Sequence, residues 1–255
     1  MGKRQRARIE QQRKKRRQRI ILCLAIIATI CAAVLAFKVI PYISDMRALQ
    51  REIASLPDLS PFDTHWLEIN SDYAGWLKID DTNIDFPVVR GNDNEKYLTT
   101  TFRGEENILG AVFMDYRCIG EKPHIIIYGH QARDEQDNRL LFGSLHEFLN
   151  EKFLTEHPTI MFMENDSLYE FEIFSARQTD INDPAYYLDF SEPDSWVAFL
   201  ARTGAPPGVE QIITLSTCIG SDNDRRMIVQ GALRRVVPVT TEQNEDGGWR
   251  IVRPE

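Results

Sequence analysis

Gln211-Ile212-Ile213-Thr214-Leu215-Ser216-Thr217-Cys218 is an apolar, β-branched run that ends on a thiol and passes into the polar stretch 219–225. A short continuous apolar run of this kind suits a buried strand, here over residues 211–217. A second run, Met227-Ile228-Val229-Gln230-Gly231-Ala232-Leu233, follows the polar stretch and reads as the next strand. Cys218 therefore sits where a rigid element meets a loop, a junction at which catalytic groups are commonly set.

The same texture extends toward the N-terminus. Residues 76–79, 84–89, 110–114 and 125–128 read as strands at intervals of about ten residues, which points to a barrel or sandwich, and strands resume at 159–163 and 168–176. Asp80-Asp81-Thr82-Asn83 and Arg90-Gly91-Asn92-Asp93 supply turns, and the first two strands are expected to form a hairpin. Helical spacing interrupts the pattern at Leu141, Leu145, Phe148 and Leu149, closed by His157-Pro158. A second helix is expected from Glu192 to about Arg202, with Pro193 in its first turn. The fold class expected is mostly β with added helices (α+β).

A cysteine nucleophile needs a neighbouring base or cation, because an ordinary thiol with a pKa near 8.5 is mostly protonated at neutral pH. Ile125-Ile126-Ile127-Tyr128-Gly129-His130 supplies a histidine at the end of another apolar strand, with Gly129 letting the backbone turn. His65, His124, His146 and His157 lie in a connector, before a strand, on a helix and before a proline, and read as surface or capping residues. Arg226 heads the last strand and, always charged, suits an oxyanion. Arg225 competes for that role, because a shift of one residue reverses the face of a strand.

The N-terminus has a different character. Its first nineteen residues hold ten Lys or Arg against one acid, Glu10, so a chain of net charge −8 carries roughly −17 beyond them. A basic run can bind nucleic acid, but this one abuts the uninterrupted apolar stretch 20–37, and after Lys38 come Val39 and Ile40. At about 1.5 Å per helical residue, that stretch nearly spans a bilayer. It is longer than the apolar region of a cleaved signal peptide, and Ala36-Phe37-Lys38 does not resemble a cleavage site. A lipoprotein signal would need a small residue before Cys31, where Ile30 stands. The expected organisation is a basic cytoplasmic tail (1–19), a transmembrane anchor (20–40), a helical connector (41–72), a catalytic domain (73–236) and a C-terminal tail (237–255). Positive charge stays inside, which puts the catalytic domain outside the cell. Ile43, Met46, Leu49, Ile53 and Leu56 give the connector an amphipathic helix, ended by Pro57 and Pro61. No histidine or cysteine cluster has zinc spacing.

Tyr128-Gly129-His130, Thr214-Leu215-Ser216-Thr217-Cys218 and Arg226-Met227-Ile228-Val229, in that order, resemble the signature of the sortase family. The likeness runs from about Tyr73 to Leu233 through Gly75-Trp76-Leu77, Phe86-Pro87-Val88-Val89, Phe113-Met114-Asp115-Tyr116-Arg117 and Phe142-Gly143-Ser144-Leu145. Class B members are the most similar, by the helical sequence before the barrel, the Thr-Leu-Ser-Thr-Cys motif and the long insert 184–204. Class C enzymes typically carry a second, C-terminal hydrophobic segment, which this sequence lacks.

The resemblance implies a closed β-barrel of about eight strands and a cysteine transpeptidase that requires no cofactor and no metal, although some sortases use calcium. It implies Cys218 as nucleophile, His130 as proton-transfer partner and Arg226 as oxyanion stabiliser, and it favours Arg226 over Arg225 because an aliphatic strand follows it after one residue. It further implies that Asn94, Leu98, Thr179, Ile181, Tyr186 and Ser216 line the peptide groove. The implied partners are surface proteins with a C-terminal sorting signal and an amine on a cell-wall peptide or peptidoglycan precursor, with no nucleic acid. Cys118 and Ile219 depart from the family pattern. Three alternatives stay open: a hydrolytic cysteine peptidase, a non-catalytic surface or pilus-associated protein, and regulation by a Cys118–Cys218 disulfide in an oxidising compartment.

Overall fold

Strand alternation and turn chemistry produce ten strands before residue 239 in the computed structural model, which describes residues 3–120, 122–134, 136–219, 222–243 and 249–252. They are β1 (Tyr73–Lys78), β2 (Asp85–Val89), β3 (Phe113–Met114), β4 (His124–Tyr128), β5 (Gln131–Arg133), β6 (Arg139–Leu141), β7 (Thr159–Glu164), β8 (Ser167–Asp180), β9 (Ile212–Ile219) and β10 (Asp222–Pro238). Eight of them close into a barrel in the order β1-β2-β3-β4-β9-β10-β8-β7. Closure leaves no unpaired sheet edge. The expected eight-stranded barrel and its opening hairpin, β1 with β2, are both present.

β4 and β9 run parallel, with His124 beside Ile212 and Tyr128 beside Ser216. The two sides of β9 have different neighbours. Ile213 lies against Gly231, whose Cα also faces Phe171 and Ile160 inside the barrel. Ile212 packs outward against Phe199 and Leu200, which belong to helix α5 (Ser195–Thr203). Both faces are thereby covered, which is why the sequence of β9 is a continuous apolar run.

Several expected boundaries move. The strand expected over 110–114 contracts to Phe113–Met114, because Gly110 turns with φ +56 and Ala111 N bonds the Tyr97 carbonyl. β8 runs on to Asp180, beyond the expected end at 176. Of the polar stretch expected as a loop over 219–225, Ile219 belongs to β9 and residues 222–225 to β10, and the remainder lies outside the described residues. α5 starts after Pro193 rather than on it, because Asp194 adopts a left-handed conformation that no helix continues. The helical pattern near 141–157 divides into a 3₁₀ segment, Phe142–Leu149, and α4 (Glu151–Glu156), separated by the Asn150 cap that accepts from Lys152 N at 2.9 Å. The C-terminal tail contains a two-stranded ribbon, β11 (Thr240–Gln243) with β12 (Trp249–Val252).

Two compact units divide the chain at Arg47 and Ala48. The first holds α1 (Lys3–Val34), a π-helical turn (Leu35–Val39) and the start of α2 (Ile40–Ala54). Residues 10–54 form one helix long and apolar enough to cross a bilayer. In the second unit, the last turns of α2 bury Leu49, and Glu52 accepts from Arg103 N at 3.0 Å. The short α3 (His65–Ile69) carries Trp66, fully buried against Tyr73, Trp76 and Phe102.

Candidate active site

Alternation along β9 puts Thr214, Ser216 and Cys218 on its outer face. Residues directly opposite across a ladder share a face, so the register assigns their neighbours. Cys218 is opposite Arg226 on β10, and Arg226 is opposite Thr179 on β8. One rung down, Ser216 is opposite Ile228 and Tyr128, and Ile228 is opposite Arg177. The next rung holds Ile126, Thr214, Gln230 and Ser175. His130 lies two residues beyond Tyr128, as Cys218 lies two beyond Ser216, and Gly129 N still bonds Ser216 O at 3.2 Å. The β4 and β9 ends thus bring His130 to the same end of the sheet as the Cys218–Arg226–Thr179 row.

Arg225 is removed from that face. It is exposed, opposite Asp180, and its guanidinium donates to Gln178 Oε1 at 2.9 Å.

Each group has a local reason for its position. His130 Nε2 lies 2.9 Å from the Leu98 carbonyl, which can only accept, so Nε2 carries a hydrogen. Phe142 N donates to the His130 carbonyl at 3.1 Å, and the Phe142 ring lies so close to Gly129 that a Cβ there would sit 2.9 Å from it. Only glycine fits before this histidine. The carbonyl of Leu98 is backed in turn by Gly110, where a Cβ would lie 2.8 Å from that oxygen.

Beneath His130, Tyr128 OH donates to Asp115 Oδ2 at 3.0 Å. Asp115 is fully buried; burial works to raise its pKa, but bonds from Arg117 and Asn94 hold it below the usual carboxylate range. Asn94 uses both ends of its amide there, donating to Asp115 at 2.9 Å and accepting from Tyr116 N at 3.0 Å. On the other side, Tyr186 OH and Ser216 Oγ are 2.8 Å apart. Burial pushes the Tyr186 phenol up to about 12, so it remains protonated beside Cys218 and Arg226. Leu98 and Ile181 expose their side chains.

This arrangement offers a thiol, an imidazole and a guanidinium at one sheet end, the set needed for acyl transfer through a thioester. Among the described residues, no cluster of His, Cys, Asp or Glu could hold a metal ion.

The sortase domain model matches residues 77–234. The chain belongs to the sortase family. It is 34% identical over 181 residues to sortase B of Listeria monocytogenes, an alignment covering 65% of this chain and 71% of that one. The solved structure of Clostridium perfringens sortase B superposes with a TM-score of 0.59 at 28% identity, covering 67% of this chain and 98% of the other. The Staphylococcus aureus sortase B–substrate complex gives a TM-score of 0.60 at 25% identity, over 75% and 92% of the two chains. This sortase is of class B, a cysteine transpeptidase.

Two expectations about the sortase change. His124 is neither surface nor cap; it opens β4 and is completely buried. Its place just before an apolar strand, after Pro123, was the available signal, but its partners Thr214 and Tyr187 are distant in sequence. The Cys118–Cys218 disulfide fails on distance. Cys118 Sγ contacts the carbonyl of His124, beside Ile212, while Cys218 lies six residues further along β9, roughly 20 Å away at strand rise and far beyond bonding reach. Both thiols are free. Burial pushes Cys118 up to about 11, so it stays a thiol in the lining of a cavity of about 910 Å³ at the other end of the barrel.

Proposed function

We propose that this sortase cleaves a C-terminal sorting signal after threonine and joins the released protein to an amine of a cell-wall peptide or peptidoglycan precursor. Cys218 Sγ passes its proton to His130 Nδ1 and attacks the threonyl carbonyl, Arg226 stabilises the developing oxyanion, and His130 gives that proton to the departing amine. The acceptor amine then attacks the thioester, and His130 Nδ1 takes the proton as Cys218 is released. Thr179, Ile181, Tyr186, Ser216 and Leu98 line the groove for the sorting peptide, and Asn94 shapes it through the turn it braces. The helix over residues 20–40 anchors the chain, with the basic tail in the cytoplasm and the barrel outside.

The register that pairs Cys218 with Arg226, alongside the β4 end carrying His130, is the observation that supports this reading most. Incubation with a library of threonine-containing peptides, with and without an added amine, tests it by mass spectrometry. The expected result is a thioacyl adduct on Cys218 that the amine converts to an amide product. An adduct released only to water identifies a hydrolase, and no adduct with any peptide overturns the assignment.

A further inference from the structure

Beneath the groove, one continuous chain of hydrogen bonds crosses four strands, its donors pointing outward in both directions from Arg177. The Tyr187 carbonyl can only accept, so His124 Nδ1, 2.9 Å away, carries the hydrogen. In the neutral ring Nε2 is then an acceptor, and the Thr214 hydroxyl at 2.8 Å donates to it. Gln230 Nε2 donates to Thr214 Oγ1 at 3.1 Å, and Gln230 Oε1 accepts from Arg177 at 2.7 Å. Arg177 donates its other nitrogen to Asp183 Oδ1 at 2.8 Å. Asp183 also accepts from Ala185 N at 2.8 Å and from the Thr179 hydroxyl. His124, Thr214 and Gln230 are all 0% exposed. Losing any one link strands a buried donor or acceptor without water to replace it.

Both ends of this chain land on the same short segment, Asp183 at one side and the Tyr187 carbonyl at the other. Between them is Tyr186, which meets Ser216 two residues before the nucleophile. The short 3₁₀ turn Pro184–Tyr186 is thus clipped at two points, through its flanking residues, to the outer face of the sheet. We propose that Thr214, with His124 and Gln230, is a positioning residue of the transpeptidase: the buried chain fixes residues 183–187 against β9 and sets Tyr186 as the rigid wall of the groove. This rests on the groove assignment above. Thr214 touches no reacting atom, and its effect reaches the substrate only through the segment it holds.

The test compares Thr214→Val, which keeps the shape and removes the hydroxyl, with Thr214→Ser, which keeps the hydroxyl, in the full-length chain in detergent. Loss of one buried link predicts about tenfold faster hydrogen exchange at the amides of Ala185, Tyr186 and Tyr187 in Thr214→Val. The same variant should raise KM for the sorting peptide about tenfold with kcat within about threefold. Alkylation of Cys218 by iodoacetamide should keep its wild-type rate, and Thr214→Ser should match the wild type throughout. Wild-type exchange in Thr214→Val, or faster exchange without a KM change, overturns the proposal, as does equal damage in Thr214→Ser. If Thr214→Val does not fold, Gln230→Met carries the same comparison. A wild-type chain that acylates with no peptide would refute the groove assignment, whereas the exchange measurement still judges the clip by itself.

Discussion

Arg226 stands directly opposite Cys218 in the antiparallel ladder between β9 and β10. Side chains so paired leave the sheet on the same face with Cβ atoms roughly 5 Å apart. In the mechanism proposed above, a carbonyl under attack by Sγ would then be within reach of the guanidinium.

Arg226→Ala should lower kcat by about 10²–10³, the usual cost of removing an oxyanion donor. Arg226→Lys should recover part of that loss, since an ammonium lacks the planar fork. Arg225→Ala, on the opposite face and bonded to Gln178, should stay within about threefold of wild type, as surface changes usually do. Steady-state transpeptidation kinetics separate the three, and an Arg225→Ala defect as large as that of Arg226→Ala would reverse the assignment.

Gly110→Ala should damage the histidine from behind. A Cβ at this position would lie 2.1 Å from the Tyr97 carbonyl and 2.8 Å from that of Leu98, at a φ of +56. The Leu98 oxygen that accepts from His130 must shift, so kcat should fall at least about tenfold and stability by about 1–3 kcal/mol. Thermal melts and kcat measured on the same preparation check both effects.

Thr217 is the neighbour of Cys218 but points into the barrel, where its buried hydroxyl has no hydrogen-bond partner among the described residues. Thr217→Val replaces that group with a methyl of similar size. The expected outcome is a gain of roughly 1 kcal/mol in urea unfolding with kcat/KM unchanged. Destabilisation would show that the hydroxyl is in use.

His124 gives the fold a pH dependence of defined sign. Burial pushes its pKa down to about 4 from the ordinary value near 6.5. Between those values the unfolded chain binds a proton that the folded one refuses. Its contribution is therefore complete above about pH 6.5 and lost as pH falls toward 4, up to about 3 kcal/mol. Urea melts from pH 7 to 4 should show this decline, and His124→Asn should flatten it.

Much of this was legible because the strands carrying chemistry are strongly patterned. The apolar runs ending at His130 and Cys218 mark strand ends without reference to any partner, and Arg226 heads the next run. What hid His124 was the absence of local context. A histidine before an apolar strand looks like a cap until Thr214, ninety residues later, is seen to donate its hydroxyl hydrogen to the ring. The boundaries of β8 and α5 were hidden for a related reason. β8 continues through polar residues to Asp180 because it pairs with β10, and α5 waits for Ser195 because Asp194 turns left-handed.

Residue order alone determined the apolar helix near the N-terminus, the alternation that makes a barrel, and the candidate thiol and imidazole with a pair of arginines to choose from. Those follow from local periodicity and side-chain chemistry. Only the tertiary structure decided that Arg226 rather than Arg225 stands opposite Cys218, that Cys118 and Cys218 are far apart, and that Asp183 and the Tyr187 carbonyl are bonded across the sheet. Each depends on strand register across long stretches of chain, and register is set by the packing of the closed barrel rather than by neighbouring residues.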